Sequence, residues 1–166
     1  MSLIASDLSA HHPLKNGFKL PPLALYVHIP WCIRKCPYCD FNSHAASPEL
    51  PEQDYIAALL ADLDLDLIHA HGLQLESIFF GGGTPSLFSA QALQALLMGI
   101  EQRIRFSPTI EITLEANPGT FEQEKFAAYR QLGINRLSIG IQSFQDSKLQ
   151  ALGRVHSATE ASAAVE

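Results

Sequence analysis

Cysteine is missing from this 166-residue chain everywhere except one stretch, Cys32-Ile33-Arg34-Lys35-Cys36-Pro37-Tyr38-Cys39. Three thiols packed that closely make a poor disulfide framework and a good metal clip, which points to the reducing cytoplasm. Positive charge is scarce too. The net charge of −6 excludes a general grip on nucleic acid, which needs basic patches. No apolar run approaches the roughly 20 residues needed to cross a bilayer, so no transmembrane segment is expected. The opening Met1-Ser2-Leu3-Ile4-Ala5-Ser6-Asp7 lacks the basic start and apolar segment of a secretory signal. Charged residues make up only 17% of the chain against 47% apolar, a globular composition sufficient for one domain with a substantial core.

What the chain does contain is organised around the cysteines. Thiolates are soft, strong ligands for zinc or for iron–sulfur clusters. A closed structural site normally takes four ligands. Three leave a coordination position open, and an open position is where a small molecule can be bound and altered.

Residues 1–22 show no periodicity and are punctuated by Pro13, Gly17, Pro21 and Pro22, so they read as a flexible leader in which His11 and His12 are solvated. Residues 23–166 read as the folded part. Leu23 to Ile29 alternates as a strand, with Leu23, Leu25, Val27 and Ile29 opposite Ala24, Tyr26 and His28, and Pro30 ends it just before the cysteines. Ile56, Leu59, Leu60, Leu63 and Leu67 form a helical stripe closed by Gly72. A second strand, Glu76 to Phe80, runs into Gly81-Gly82-Gly83-Thr84-Pro85, and a second helix opens at Ser89 and carries Leu93, Leu96, Leu97, Ile100 and Ile104. The third strand is expected over Ile110 to Ala116. Thr120 to Gln123 then reads as a capping box for a helix ending near Gly133. A fourth strand is expected from Arg136 to Gln142, and a short helix through Leu149 and Leu152 stops at Gly153. Ser157-Ala158-Thr159-Glu160 is a further capping box.

Strand followed by helix four times over is the pattern of an α/β fold with a parallel sheet and crossover helices. The strand faces left over for the inside are polar and small, not the branched apolar residues that fill a closed barrel. A wide or open barrel with a wet, ligand-holding cavity is the expectation. Because a helix opens so near the last residue with no strand after it, the chain reads as the front part of a longer protein.

Cys-x3-Cys-x2-Cys after a first strand, with Gly-Gly-Gly-Thr-Pro after the second, resembles the radical S-adenosylmethionine (SAM) proteins. Tyr26-Val27-His28-Ile29-Pro30-Trp31-Cys32, Thr113 to Pro118 and Asn135 to Phe144 resemble stretches of the oxygen-independent coproporphyrinogen III oxidase group within them. The resemblance implies a six-stranded (β/α) partial barrel, of which four βα units lie here. It implies that Cys32, Cys36 and Cys39 ligate a 4Fe–4S cluster whose fourth iron takes SAM, so that an electron from the cluster breaks a carbon–sulfur bond of the sulfonium. By the same resemblance Gly82, Gly83 and Thr84 meet the methionine end of SAM, Glu115 its ribose hydroxyls and Arg154 its carboxylate. Gln142, at the corresponding end of the fourth strand, can both donate and accept. Tyr26 and Tyr38 resemble residues that lie beside the cluster and the adenosyl group. The bland alternatives are an ordinary tight turn for the glycines, a solvated helix-end arginine and half-buried tyrosines.

Two branches of the group share this pattern. The oxidases decarboxylate coproporphyrinogen III to protoporphyrinogen IX and carry a fourth cysteine two residues past the third, where this chain has Phe41 in Cys39-Asp40-Phe41. That departure, and the short leader, resemble the haem-chaperone branch, which implies haem as cargo, haem-accepting proteins as partners and an electron donor such as flavodoxin or ferredoxin. A reading from another class is a zinc-clipped structural module with His28 or His44 as fourth ligand, which leaves the glycine loop and Glu115 without a purpose.

Overall fold

The structure is a computed structural model that describes residues 20–165, and of residues 120–124 only the backbone. The stretch read as a leader, with His11 and His12, therefore lies outside the described residues apart from Leu20, Pro21 and Pro22.

Four parallel strands carry the fold: β1 (Leu23–Ile29), β4 (Leu75–Gly82), β5 (Phe106–Ala116) and β6 (Arg136–Ile139), adjacent in that order. Between β1 and β4 come two short strands, β2 (Trp31–Cys32) and β3 (His44–Ala45), and the helix α1 (Glu52–Asp66). Helices α2 (Ala90–Glu101) and α3 (Thr120–Gln131) make the next two crossovers, and α4 (Asp146–Ala151) and α5 (Ala158–Ala163) follow β6. The expected α/β class, a parallel sheet with crossover helices, is what forms.

The period-two pattern decides which side is covered. Val27, Ile29, Ile78, Phe80 and Leu114 are buried, and the helical stripes supply Leu93, Leu96 and Ile100 against them. Ile56 and Leu63 of α1 join the same core, with Leu59, Leu60 and Leu67 packed at its edge. Ser89 caps α2 by accepting from Ala92 N at 3.1 Å, as its position promised. No side chain caps α1. Its first residue, Glu52, instead accepts from Ser89 N and Ser89 Oγ at 2.6 and 2.7 Å, tying the starts of the two helices together.

Several boundaries differ from expectation, and β4 runs from Leu75 to Gly82 where Glu76 to Phe80 was expected. Strand β5 begins at Phe106, not Ile110, because the ladder with β4 shifts register between Leu75 and Ser77, and Pro108 sits in the skipped stretch where no ladder donor is needed. Strand β6 stops at Ile139 instead of Gln142. Its partner β5 ends at Ala116, paired with Ile139, and Pro118 beyond it has no N–H to continue the ladder. Gly119 caps α3, while the side chains of the expected Thr120–Gln123 box lie outside the described ones. The Ser157–Glu160 box forms in full: Ser157 Oγ accepts from Glu160 N at 3.2 Å and Glu160 Oε2 accepts from Ser157 N at 2.8 Å.

Candidate functional site

Residues 33–43 form a loop closed at its base like a clasp. Trp31 pairs with His44 and Cys32 with Ala45, reinforced by His44 N to Pro30 O and Ala46 N to Cys32 O, both at 2.8 Å. The base is held by an aromatic trio in which Trp31 meets Tyr55 edge-on at 4.7 Å and stacks on Phe88 at 5.8 Å. Tyr55 Oη donates to His28 O at 2.8 Å, so α1 fixes the point where β1 becomes the cysteine loop. Inside the loop Cys39 N donates to Cys36 O at 3.1 Å, and Lys35 Nζ turns inward to Ser43 O at 3.2 Å and Phe41 O at 3.4 Å.

The glycine turn after β4 docks on this base. Gly83 N donates to Ile29 O at 2.8 Å and Thr84 N to Trp31 O at 2.7 Å. A Cβ on Gly83 would stand 2.5 Å from Trp31 O, a backbone atom that cannot swing aside. Gly82 has φ +114°, a region L side chains rarely adopt, and the His28 ring occupies the space a Cβ would need.

Glu115, next to the end of β5, accepts from Gly82 N at 3.1 Å. Burial pushes its carboxyl above the usual range, and the Gly82 hydrogen bond and nearby His28 only partly oppose this. Tyr26 lies on the same sheet side, stacked on Phe79 and bonded through Oη to His28 Nδ1 at 3.1 Å. Burial, then the Glu115 carboxylate, raise its phenol. His28 Nε2 donates to Asn42 O at 2.8 Å, so both ring nitrogens are engaged and neither is left for zinc.

On the far side, Arg154 Nη1 donates to Cys36 Sγ at 3.5 Å and Nη2 to Gly140 O at 2.7 Å. Tyr38, half-exposed beside them, has its phenol raised chiefly by desolvation, with Arg154 opposing. After β6 the chain curls through Gln142 at φ 69°, and buried His156 holds the curl by donating Nε2 to Ile141 O at 3.0 Å. Burial pushes the imidazole of His156 below its ordinary pKa.

A cavity of about 410 Å³ opens between these pieces, at the carboxyl ends of the strands. Ligands of open α/β sheets lie at that edge. Its walls include all three cysteines, Tyr38, the Gly82–Gly83–Thr84 turn, Glu115, Gln142 and Arg154. Of the residues assigned by resemblance to the cluster and SAM, Tyr26 alone is not among those lining it, and His28 and His44 do not line it either. Among the described residues no three or more His, Cys, Asp or Glu side chains gather tightly enough to hold a single metal ion. The thiols face a shared space without closing on one point.

Two residues of the site were overlooked. Asn117 entered the sequence reading only within the stretch Thr113 to Pro118, with no role of its own, yet it bridges Thr84 and Arg154. His156 stood outside every motif considered, and its place two residues past Arg154 was the one signal available. Asn117 and His156 act through pairings that no local pattern displays.

The family model described as "Radical SAM superfamily" matches residues 26–166. The chain is 60% identical over 151 residues to a protein of Haemophilus influenzae named "Heme chaperone HemW", covering 89% of this chain and 39% of that protein. It is 55% identical over 148 residues to the protein of the same name from Escherichia coli, again covering 89% of this chain and 39% of the relative. The chain thus spans about two fifths of the length of these curated relatives. Among solved structures it resembles coproporphyrinogen III oxidase (HemN) from Escherichia coli, described as a radical SAM enzyme. The TM-score is 0.75 at 27% identity, covering 84% of this chain and 32% of that one.

Proposed function

This chain belongs to the radical SAM superfamily, and we propose that it forms the cluster- and SAM-holding part of a cytoplasmic haem chaperone. One observation carries the reading: the three thiols, the glycine turn, Glu115 and Arg154 face a single cavity at the strand tips. Two relatives at 60% and 55% identity named as haem chaperones support the choice of cargo.

The residues suit the proposed cofactors. A cubane takes each thiolate on a different iron, so thiols that share a cavity without meeting at one point are an appropriate donor set. Arg154 Nε is buried with no partner, an orphaned donor beside the thiols, and Gly83 leaves the turn free of side-chain bulk. When bound, the 4Fe–4S cluster would supply an electron to the SAM sulfonium. Cys32, Cys36 and Cys39 would hold it, and the Arg154 guanidinium would pair with the SAM carboxylate. Glu115 would accept from the ribose hydroxyls, Gln142 would use its amide in both directions, Thr84 and the glycines would bring backbone close to the methionine end, and Tyr38 would flank the cluster. Tyr26, which does not line the cavity, would orient His28 through its Oη hydrogen bond to Nδ1. Haem-accepting proteins and an electron donor of the flavodoxin or ferredoxin kind complete the proposal.

The likeness to coproporphyrinogen III oxidase favours one competing reading, decarboxylation of the porphyrinogen. Phe41 speaks against it, because it stands where the oxidases carry a fourth cysteine and lines the cavity with an exposed ring. Titrating the anaerobically reconstituted full-length protein with haem, alongside an assay of carbon dioxide release from coproporphyrinogen III, separates the two. A Soret shift without carbon dioxide is expected, and rapid decarboxylation with no Soret shift would replace the chaperone by the oxidase. Replacing Cys32, Cys36 and Cys39 together by alanine should abolish iron and sulfide uptake and weaken SAM binding at least about tenfold. Zinc without iron in the wild-type protein would restore the structural-module reading.

A further inference from the structure

Asn117 directly follows the last residue of β5, and its amide is used at both ends. Nδ2 donates to Thr84 Oγ1 at 3.0 Å and Oδ1 accepts from Arg154 Nη2 at 2.5 Å. The orientation is fixed by chemistry: a guanidinium only donates, so the oxygen faces Arg154 and the nitrogen must face the Thr84 hydroxyl. Thr84 is itself buried and held through its backbone N–H by Trp31 O at 2.7 Å. One side chain therefore links the glycine turn, the tip of β5 and the arginine that reaches Cys36.

The rest of the surroundings agree. Gly140 provides a second anchor for Arg154 through its carbonyl at 2.7 Å. Arg154 Nη2, Asn117 Oδ1 and Gln142 Nε2 all lie 3.5 Å from where a Cβ of Gly140 would stand, so three polar side chains meet over that one small residue. A free arginine side chain carries considerable rotamer entropy, and ordering it before a ligand arrives removes that cost from the binding step. The neutral amide also matters. An aspartate at this place would hold the guanidinium equally well, but it would neutralise the charge that an incoming carboxylate needs.

We infer that Asn117 is a positioning residue that presets Arg154, through Thr84, to receive the carboxylate of the ligand in the cavity. This rests on the reading of the cavity as a SAM site. The test compares two probes on the anaerobically reconstituted full-length protein: SAM, and 5′-methylthioadenosine, which keeps the nucleoside and a sulfur on its 5′ carbon but is an uncharged thioether with neither the amino nor the carboxylate group. Asn117→Ala and the near-isosteric Asn117→Asp should each raise the Kd for SAM about tenfold, the size expected when a hydrogen bond to a charged group is lost or its charge is offset. Both variants should leave the Kd for 5′-methylthioadenosine and the iron content unchanged. The double variant Asn117→Ala with Arg154→Ala should bind SAM no more weakly than Arg154→Ala alone. Equal weakening of both probes would reduce Asn117 to general support of the fold and overturn the inference. So would an unchanged SAM affinity, or losses that multiply in the double variant. If the wild-type protein binds 5′-methylthioadenosine and SAM equally well, the carboxylate is not recognised and this inference alone fails. If it binds neither, the SAM-site reading fails and the inference falls with it.

Discussion

The two faces of the sheet are made of different material. On the helix side Ile78, Phe80 and Leu114 are fully buried under Leu93, Leu96 and Ile100. On the other side Glu115 is half-buried and Tyr26 exposed, and past the strand tips Ile33, Tyr38, Phe41 and Val155 are 49–58% exposed. The first face gains free energy by removing apolar surface from water. The second spends some of that stability: it holds a glycine at positive φ, a carboxyl whose ionisation burial disfavours, and three cysteines free of disulfides. The contrast shows how a small sheet can carry a costly site, by keeping its cohesion on the opposite side.

The contrast is broken most severely from the helix side. Phe80→Ala should destabilise the fold by about 3–5 kcal/mol, the range for truncating a buried phenylalanine, as read by chemical denaturation. A loss under about 1 kcal/mol would mean that the helix-side layer is not where the cohesion lies.

Gly83→Ala attacks the join between the faces. The added methyl would meet Trp31 O and the Pro30 backbone, so the turn or the base of the cysteine loop must move. A cost of about 1–3 kcal/mol is expected, accompanied by reduced iron uptake on reconstitution. Uptake at the wild-type level would show that the glycine turn and cysteine loop are not in register.

The smallest effect has the opposite sign. Burial raises the Glu115 pKa above its ordinary 4.5, so the folded chain prefers the protonated side chain more than the unfolded chain does. Its contribution to stability is full below the unfolded value and is lost as pH rises through the folded one. Glu115→Gln removes that loss and should be slightly more stable than wild type at neutral pH, while binding SAM more weakly. In the wild type, SAM affinity should fall as acidification protonates Glu115, beginning above the ordinary carboxylate range. Parallel melting and SAM-binding curves against pH check both halves, and a Gln variant that is less stable at neutral pH would contradict them.

How much of this was legible depended on distance along the chain. The alternation in β1 and the stripe of α2 are statements about neighbours, and both elements fold as their patterns require. The end of β6 was misjudged because period two continues in its sequence to Gln142, whereas the partner that would pair with it runs out at Ala116. Tyr26 was expected beside the cluster and the adenosyl group by resemblance alone; it pairs with Phe79 of β4 and is not among the residues lining the cavity. The closed base of the cysteine loop, β2 with β3, is two residues a side and left no periodic trace.

The amino-acid order on its own settled the donor chemistry, since thiols, glycines and carboxylate are properties of residues, and settled which residues share a strand face, since side chains alternate by geometry. It did not settle that Arg154 meets Cys36 across 118 positions, or that Asn117 stands between Thr84 and Arg154. Those meetings follow from the register in which the strand tips are laid side by side. That register is set by packing against the helices and by where each ladder loses its partner, quantities that exist only once the chain has folded.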